Sequence, residues 1–83
     1  MAHVKMTPEA QRQFEQLPRA VRADMLGVYE RLAHWPQVSG AKPLQHALVG
    51  RYRIRTGHYR VQFHVSGETV VVEKVGHRDG FYE

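Results

Sequence analysis

The sequence contains no cysteine, which excludes disulfide bonds and thiolate metal sites as sources of stability. It also lacks a long apolar run: the longest, within TVVVE, is far shorter than the roughly 20 residues of a membrane-spanning helix. The first ten residues, MAHVKMTPEA, contain no apolar segment of the kind found in secretory signals. For these 83 residues we therefore expect one domain, residues 1–83, around a single core, located in the cytoplasm and without a membrane partner.

Positive charge is more abundant than negative charge. Twelve lysines and arginines stand against eight acidic residues, and nine of the twelve are arginine. Arginine presents a planar fork of N–H donors that matches phosphate and carboxylate groups, whereas lysine acts as a compact point charge. A GC-rich coding sequence would also raise the arginine content, so the positions of the arginines must decide whether they serve an anionic partner.

The first half of the chain predicts one strand and two helices. HVKM alternates polar and apolar residues, and Thr7-Pro8 has the residue types of a helix N-cap and first helical position. Pro18 is expected to open the second helix, and Trp35-Pro36 to follow its end. The apolar positions recur at helical spacing: Ala10, Phe14 and Leu17, then Val21, Met25, Val28 and Leu32.

The second half predicts strands. After the loop PQVSGAKP, the segments LQHAL, RYRIRT, YRVQFHV and TVVVEKV have strand composition, and GH and SGE separate the last three. The predicted fold is α+β, of order β-α-α-β-β-β, in which the last three strands, separated by GH and SGE, form a meander. We expect a small, twisted, mainly antiparallel sheet with the helical hairpin packed on one face.

The segment RYRIRTGHYR predicts a hairpin with one cationic face. Gly57-His58 suits a two-residue turn, and side chains alternate between the faces of a strand. The predicted cross-strand pairs are Arg55 with Arg60, Arg53 with Gln62 and Arg51 with His64 on one face, and Ile54 with Val61 and Tyr52 with Phe63 on the other. Facing like charges cost up to roughly 1 kcal/mol, which a polyanionic ligand would offset. The alternative is a solvated face of long side chains.

The last two strands and the C-terminal segment extend this face. Val70 and Val72 are expected on the apolar face, and Glu73 on the cationic face, beside Arg53, Arg55 or Arg60. The closing GHRDGFYE is expected to add its polar and aromatic side chains to the cationic face, namely His77, Arg78 and Tyr82.

YRIRTGHYRV, followed by GHR and a near-terminal tyrosine, resembles the RelE/ParE toxin superfamily of type II toxin–antitoxin systems, over nearly the whole chain. The resemblance to RelE implies an endoribonuclease that cuts mRNA in the A site of the 70S ribosome, without metal or cofactor, and that an acidic antitoxin inhibits. The ribose 2′-OH would attack the phosphate, leaving a cyclic phosphate and a 5′-OH. By motif position, Arg53 and Arg60 would stabilise the transition-state phosphate, Arg55 would occupy the general-base position, Arg78 would act near the leaving oxygen, and Tyr82 would stack on or orient a base.

The sequence departs from RelE in one chemical respect. RelE has lysines where this chain has Arg53 and Arg55, and an arginine does not lose its proton near neutral pH. A histidine is therefore a candidate base, and among His58, His64 and His77 we favour His77 because it adjoins Arg78. Arg51, Gln62 and His64 are predicted to contact RNA.

Two other functions stay open. A ParE-like inhibitor of DNA gyrase would share the fold without nuclease activity, and an RNA-binding module would lack chemistry. ParE-type toxins generally lack the cationic catalytic set, so its presence here favours RNA cleavage.

Overall fold

The computed structural model describes residues 2–79 and 81, without the side chain of His46. The sheet has the order β1-β5-β4-β3-β2, with β1 parallel to β5 and every other pair antiparallel. The predicted α+β fold is thus confirmed. The elements are β1 (His3–Met6), α1 (Pro8–Glu15), α2 (Arg19–Leu32), β2 (Lys42–Pro43), β3 (Arg51–Thr56), β4 (Tyr59–Ser66) and β5 (Thr69–His77).

Helix α1 begins as its sequence predicts. The hydroxyl of Thr7 accepts a hydrogen bond from the backbone N–H of Ala10 at 3.1 Å, and Pro8 opens the helix, where its missing N–H costs nothing. Helix α2 begins at Arg19, one residue later than predicted, because Pro18 occupies the N-cap position. Among the described residues, no helix combines the length and the hydropathy needed to cross a membrane.

The core lies between the two helices and one face of the sheet. The predicted inward residues Ile54, Val61 and Phe63 are at most 1% exposed. Tyr52 is only half-buried, with its ring stacked on Phe63 and in edge contact with Trp35. The other buried side chains of this core are Ala10, Leu17, Met25, Val28, Leu32, Val70, Val72 and Val75.

The segment LQHAL does not form the predicted strand. Residues His46–Leu48 form a 3-10 turn, and the edge strand β2 contains only Lys42 and Pro43. Backbone pairing with β3 ends where the N–H of Leu44 donates to the carbonyl of Arg51, at 2.9 Å. Beyond that point the N–H of Leu48 donates to the carbonyl of Gln45, so a local turn takes the place of a ladder.

A β-bulge interrupts the pairing of β4 with β5. Phe63 lies opposite Val72, whereas its neighbour Gln62 lies opposite Lys74, so Glu73 is an extra residue without a partner on β4. The bulge lets both Val72 and Val75 point into the core and brings Lys74 to the other face.

Helix α1 also covers the edge of β5 beyond the end of β1. There the side-chain oxygen of Gln13 accepts a hydrogen bond from the N–H of Val75 at 2.9 Å. A backbone donor that β1 is too short to reach is thereby satisfied.

Candidate functional site

The face of the sheet opposite the helices carries basic side chains in two rows across the strands. The predicted register of β3 with β4 is confirmed, including the pair Arg55 and Arg60, and Gly76 continues their row on β5. The second row runs across four strands. We call these two rows together the cationic face; its side chains are Lys42, Arg53, Gln62 and Lys74 in the second row, with Arg55 and Arg60 in the first.

Most of this charge has no counter-charge. The ion pairs of the described residues involve none of Arg53, Arg55 and Arg60, and neither Lys42 nor Lys74. Gln62 lies at the centre, 9% exposed, with Arg53 opposite it on β3 and Lys74 opposite it on β5. Unpaired cations of one sign on one surface raise the local concentration of anions. The arrangement therefore suits a ligand that carries several phosphates.

The next row contains an ion-pair cluster instead. Arg51 and His64 lie opposite each other, and Nε of Arg51 donates to both carboxylate oxygens of Glu73, at 3.0 and 3.2 Å. Nδ1 of His64 lies 3.3 Å from Oε2 of Glu73. The prediction that Glu73 pairs with Arg53, Arg55 or Arg60 is wrong. The bulge leaves Glu73 without a residue opposite it on β4, and its side chain reaches the row of Arg51 and His64 instead.

The structure places His77 away from the cationic face. His77 pairs with Tyr59, and the two rings meet edge to face with their centroids 5.2 Å apart, while Gly76 occupies the outward position opposite Arg60. The predicted position of His77 on the cationic face is therefore wrong. Its Nδ1 accepts a hydrogen bond from the N–H of Asp79 at 3.1 Å, so the neutral ring carries its proton on Nε2.

Arg78 lies at the end of the sheet near the β3–β4 turn. Its backbone N–H donates to the carbonyl of His58 at 2.7 Å, and its side chain is more than half exposed. Nε lies 3.7 Å from a carboxylate oxygen of Asp79. An exposed pair of this kind contributes little, so the guanidinium stays available to a ligand. Tyr82 lies outside the described residues.

Two residues of this surface were missed by the sequence analysis. Phe81 is buried outside the core, and its ring covers Gly76, where an added Cβ would lie 3.6 Å from Cδ1 of Phe81. The ammonium group of Lys74 donates to the carbonyl of Phe81 and lies 4.6 Å from its ring centroid. The ring of Phe81 thus lies over the cationic face beside Arg60. The sequence contained one signal for the bulge that brings Lys74 here. Inward side chains of a regular strand are two residues apart, whereas the apolar residues Val72 and Val75 are three apart.

The described residues contain no group of three or more histidine or acidic side chains placed to hold a metal ion. What the surface offers is fixed positive charge and N–H donors. Such groups, held in place before a reaction begins, stabilise negative charge as it develops on a phosphate.

Residues 4–80 match the family model of the ParE toxin of type II toxin–antitoxin systems, parDE. The chain belongs to this family. It is a toxin of the RelE/ParE superfamily, of the type II toxin–antitoxin class. Among curated proteins, none matches significantly.

Solved structures of other toxins share the fold. One chain of the toxin–antitoxin complex RelBE2 from Mycobacterium tuberculosis is 30% identical, with a TM-score of 0.83 over 93% of this chain and 98% of that one. The isolated RelE toxin of E. coli is 20% identical, with a TM-score of 0.77 over 93% and 84% of the two chains. The YoeB/ParE toxin of Agrobacterium tumefaciens is 18% identical, with a TM-score of 0.75 over 90% and 96%. The last two likenesses concern the fold alone.

Proposed function

We propose that this toxin is a ribosome-dependent endoribonuclease that cleaves mRNA in the ribosomal A site, acting in the cytoplasm as a single domain. The observation that carries the proposal is the group of three arginines, Arg53, Arg55 and Arg60, on adjacent strands with no carboxylate paired to them in the described part of the chain. Folding alone does not favour such a group, whereas binding of a phosphodiester does.

In the proposed complex the scissile phosphate lies over Gln62, at the centre of the cationic face. Arg53 is directly opposite Gln62, and Arg60 is two residues away on the same strand, about 7 Å. Both guanidinium groups can therefore reach the phosphate and stabilise the extra charge of the transition state. Arg55 adds charge from the position opposite Arg60, Gln62 contacts the RNA at the phosphate above it, and Arg51 contacts the flanking RNA.

Residues near the C-terminus would stabilise the leaving group and orient the RNA beside it. Arg78 donates hydrogen bonds to the 5′-oxygen, and Tyr82 stacks on or orients a base. Nδ1 of His77 accepts a hydrogen bond from the N–H of Asp79, and the ring packs against Tyr59 on the other face of the sheet, so His77 is not placed to act on the leaving group. The same bond argues against His77 as the base, because the nitrogen that has a lone pair is already occupied.

The proposed protein partner is an acidic antitoxin. The chain has a formal net charge of +4, and its cationic face would attract an acidic polypeptide as well as RNA. The relative from Mycobacterium tuberculosis was crystallised as a toxin–antitoxin complex. An antitoxin segment over this face would exclude mRNA from it.

Primer extension on translating mRNA, with the purified toxin added, tests the proposed activity. We expect cuts in the reading frame that appear only when ribosomes are present. The variant Arg53→Ala/Arg55→Ala/Arg60→Ala, checked for fold by circular dichroism, should produce none. Intact mRNA with the wild-type toxin, or equal cutting by the variant, would contradict the proposal. RNA binding without any cut would point to a non-catalytic RNA-binding module.

The alternative is inhibition of DNA gyrase, and the match to the ParE family model favours it. A supercoiling assay with purified gyrase separates the two functions. Loss of supercoiling together with intact mRNA would establish the alternative, whereas unchanged supercoiling together with in-frame cuts would exclude it.

A further inference from the structure

We propose that His64, oriented by Glu73, is the general base of the cleavage reaction, an assignment that rests on the proposed function. Arg55 occupies the position that the resemblance gives to the base, but a guanidinium keeps its proton at any pH at which the toxin works. The reaction therefore needs another group that can accept a proton near neutral pH. Imidazole is the side chain suited to this.

The surroundings of His64 decide which of its nitrogens carries the proton. Nδ1 is shielded from solvent and forms no aligned hydrogen bond, and it faces Oε2 of Glu73 at 3.3 Å. A shielded nitrogen beside a carboxylate is most stable as N–H, so the neutral ring has its lone pair on Nε2. Glu73 is itself held by Arg51, whose Nε donates to both of its oxygens. The three side chains thus orient a base whose accepting atom is Nε2.

The position of His64 on β4 suits an in-line attack. Gln62 lies midway between Arg60 and His64 on one face of the strand, about 7 Å from each. A phosphate over Gln62 then has His64 at one end, and Arg60 with Arg78 beyond it at the other. Arg53 and Lys74 flank it from the neighbouring strands. His64 can therefore act on the nucleophile from one end of the phosphate, and the arginines can stabilise the leaving oxygen from the other.

The proposed step begins with the transfer of one proton. Nε2 of His64 takes the proton of the ribose 2′-OH, and the 2′-oxygen forms a bond to phosphorus. The bond from phosphorus to the 5′-oxygen breaks, and its electron pair remains on that oxygen, which takes a proton from water. The products are a 2′,3′-cyclic phosphate and a 5′-OH, and the imidazolium returns its proton to solvent.

Charged groups from three other strands lie on the same face of the sheet as His64. Arg51 lies opposite on β3, Glu73 comes from β5, and Lys5 of β1 lines the same surface groove of about 490 Å3. The groove leaves one side of His64 open to a ribose. His58, by comparison, lies in the exposed β3–β4 turn, with no carboxylate paired to it in the described residues.

The test is single-turnover cleavage of a defined mRNA on programmed 70S ribosomes across about pH 5 to 8. The wild-type rate should rise with pH as an imidazole loses its proton. His64→Ala should cleave about 10²–10⁴-fold more slowly and lose this rise, and added imidazole should restore part of the rate. His64→Gln, with a polar group of similar reach, should be equally slow. His58→Ala is the matched control and should keep both the wild-type rate and its pH profile.

Glu73→Gln tests the orienting role separately. It should lower the rate and change the pH profile, because the amide no longer favours the proton on Nδ1 of His64. Binding to programmed ribosomes should stay intact. A wild-type rate and profile in both His64 variants would overturn the assignment while leaving the proposed nuclease standing. If the wild-type toxin leaves the mRNA uncut, the proposed function fails and the assignment falls with it.

Discussion

Arg55 and Arg60 lie directly opposite each other on adjacent strands, and within the described residues neither is paired with a carboxylate. Facing like charges on a sheet destabilise it by up to roughly 1 kcal/mol. Arg51, four residues from Arg55 on the same strand, has Glu73 as its partner. The chain thus neutralises one end of this face and leaves the other end charged, which is the arrangement expected if the charged end binds phosphate.

Replacement of single arginines should separate activity from folding. Arg60→Ala should slow mRNA cleavage by about 10²–10³-fold, since it removes one preorganised stabiliser of the transition state. Arg78→Ala should have an effect of similar size through the leaving group. Both variants should keep the wild-type thermal transition. Arg12→Ala, on the exposed side of α1, is the matched control and should cleave normally. Wild-type rates in both active-site variants would refute the proposed mechanism.

The assignment of the sheet's two faces can be tested by placing one carboxylate on each. Ile54 is 1% exposed under the helices, whereas its neighbour Arg55 is exposed on the cationic face. Ile54→Asp should unfold the domain, because an unpaired buried charge costs roughly 3–5 kcal/mol. Arg55→Asp should leave the circular dichroism spectrum and melting transition in place. A cooperative wild-type-like transition in Ile54→Asp would show that the faces are assigned wrongly.

Tyr29 should make the folded state sensitive to alkaline pH. Burial raises the pKa of Tyr29 from 10.0 to about 12, and its hydroxyl donates to Sδ of Met6 at 3.3 Å. The unfolded chain loses this proton at a lower pH than the folded one. The stabilisation is therefore complete below pH 10 and is lost as the pH rises towards about 12.

Thermal melts of wild type and Tyr29→Phe across that pH range provide the measurement. The melting temperature of the wild type should fall more steeply, because phenylalanine has no proton to lose. The other tyrosines and the basic groups are common to both proteins, so the difference between the curves isolates Tyr29. Parallel curves would show that the hydroxyl is not protected from ionisation.

Binding of the antitoxin should depend partly on salt. Co-expression with the adjacent upstream or downstream reading frame, followed by purification, should yield a complex that higher salt weakens without dissociating it. Screening removes the exposed electrostatic share of the affinity, and apolar contacts remain. If neither neighbouring product co-purifies or restores growth, the chain has no antitoxin encoded beside it.

The β3–β4 hairpin was predictable from the sequence because its turn is short. A glycine with φ of 59° occupies the first turn position at Gly57, and a two-residue turn leaves only one register. All later pairs follow from that turn by alternation. The arginine pair Arg55–Arg60 could therefore be placed without a structure.

The β4–β5 pairing and the C-terminal segment were less predictable, because non-local packing determines them. The bulge at Glu73 becomes favourable once α1 supplies Gln13 to the N–H of Val75, a contact 62 residues apart in sequence. The bulge in turn moves every later side chain of β5 to the opposite face of the sheet. His77 therefore lies on the face of Tyr59 instead of the face of Arg60. Similarly, LQHAL has strand composition, yet β3 offers it no backbone partner beyond Leu44.

The central claim, that the unpaired arginines form a phosphodiester-cleaving surface, is tested most directly by the chemistry of the cut ends. mRNA on programmed ribosomes is treated with the wild-type toxin or with the folded Arg53→Ala/Arg55→Ala/Arg60→Ala variant, and the fragments are mapped. We predict fragments with a 2′,3′-cyclic phosphate and a 5′-OH from the wild type alone, and none without ribosomes. Intact mRNA, fragments with a 5′-phosphate, or equal cleavage by the variant would contradict the claim.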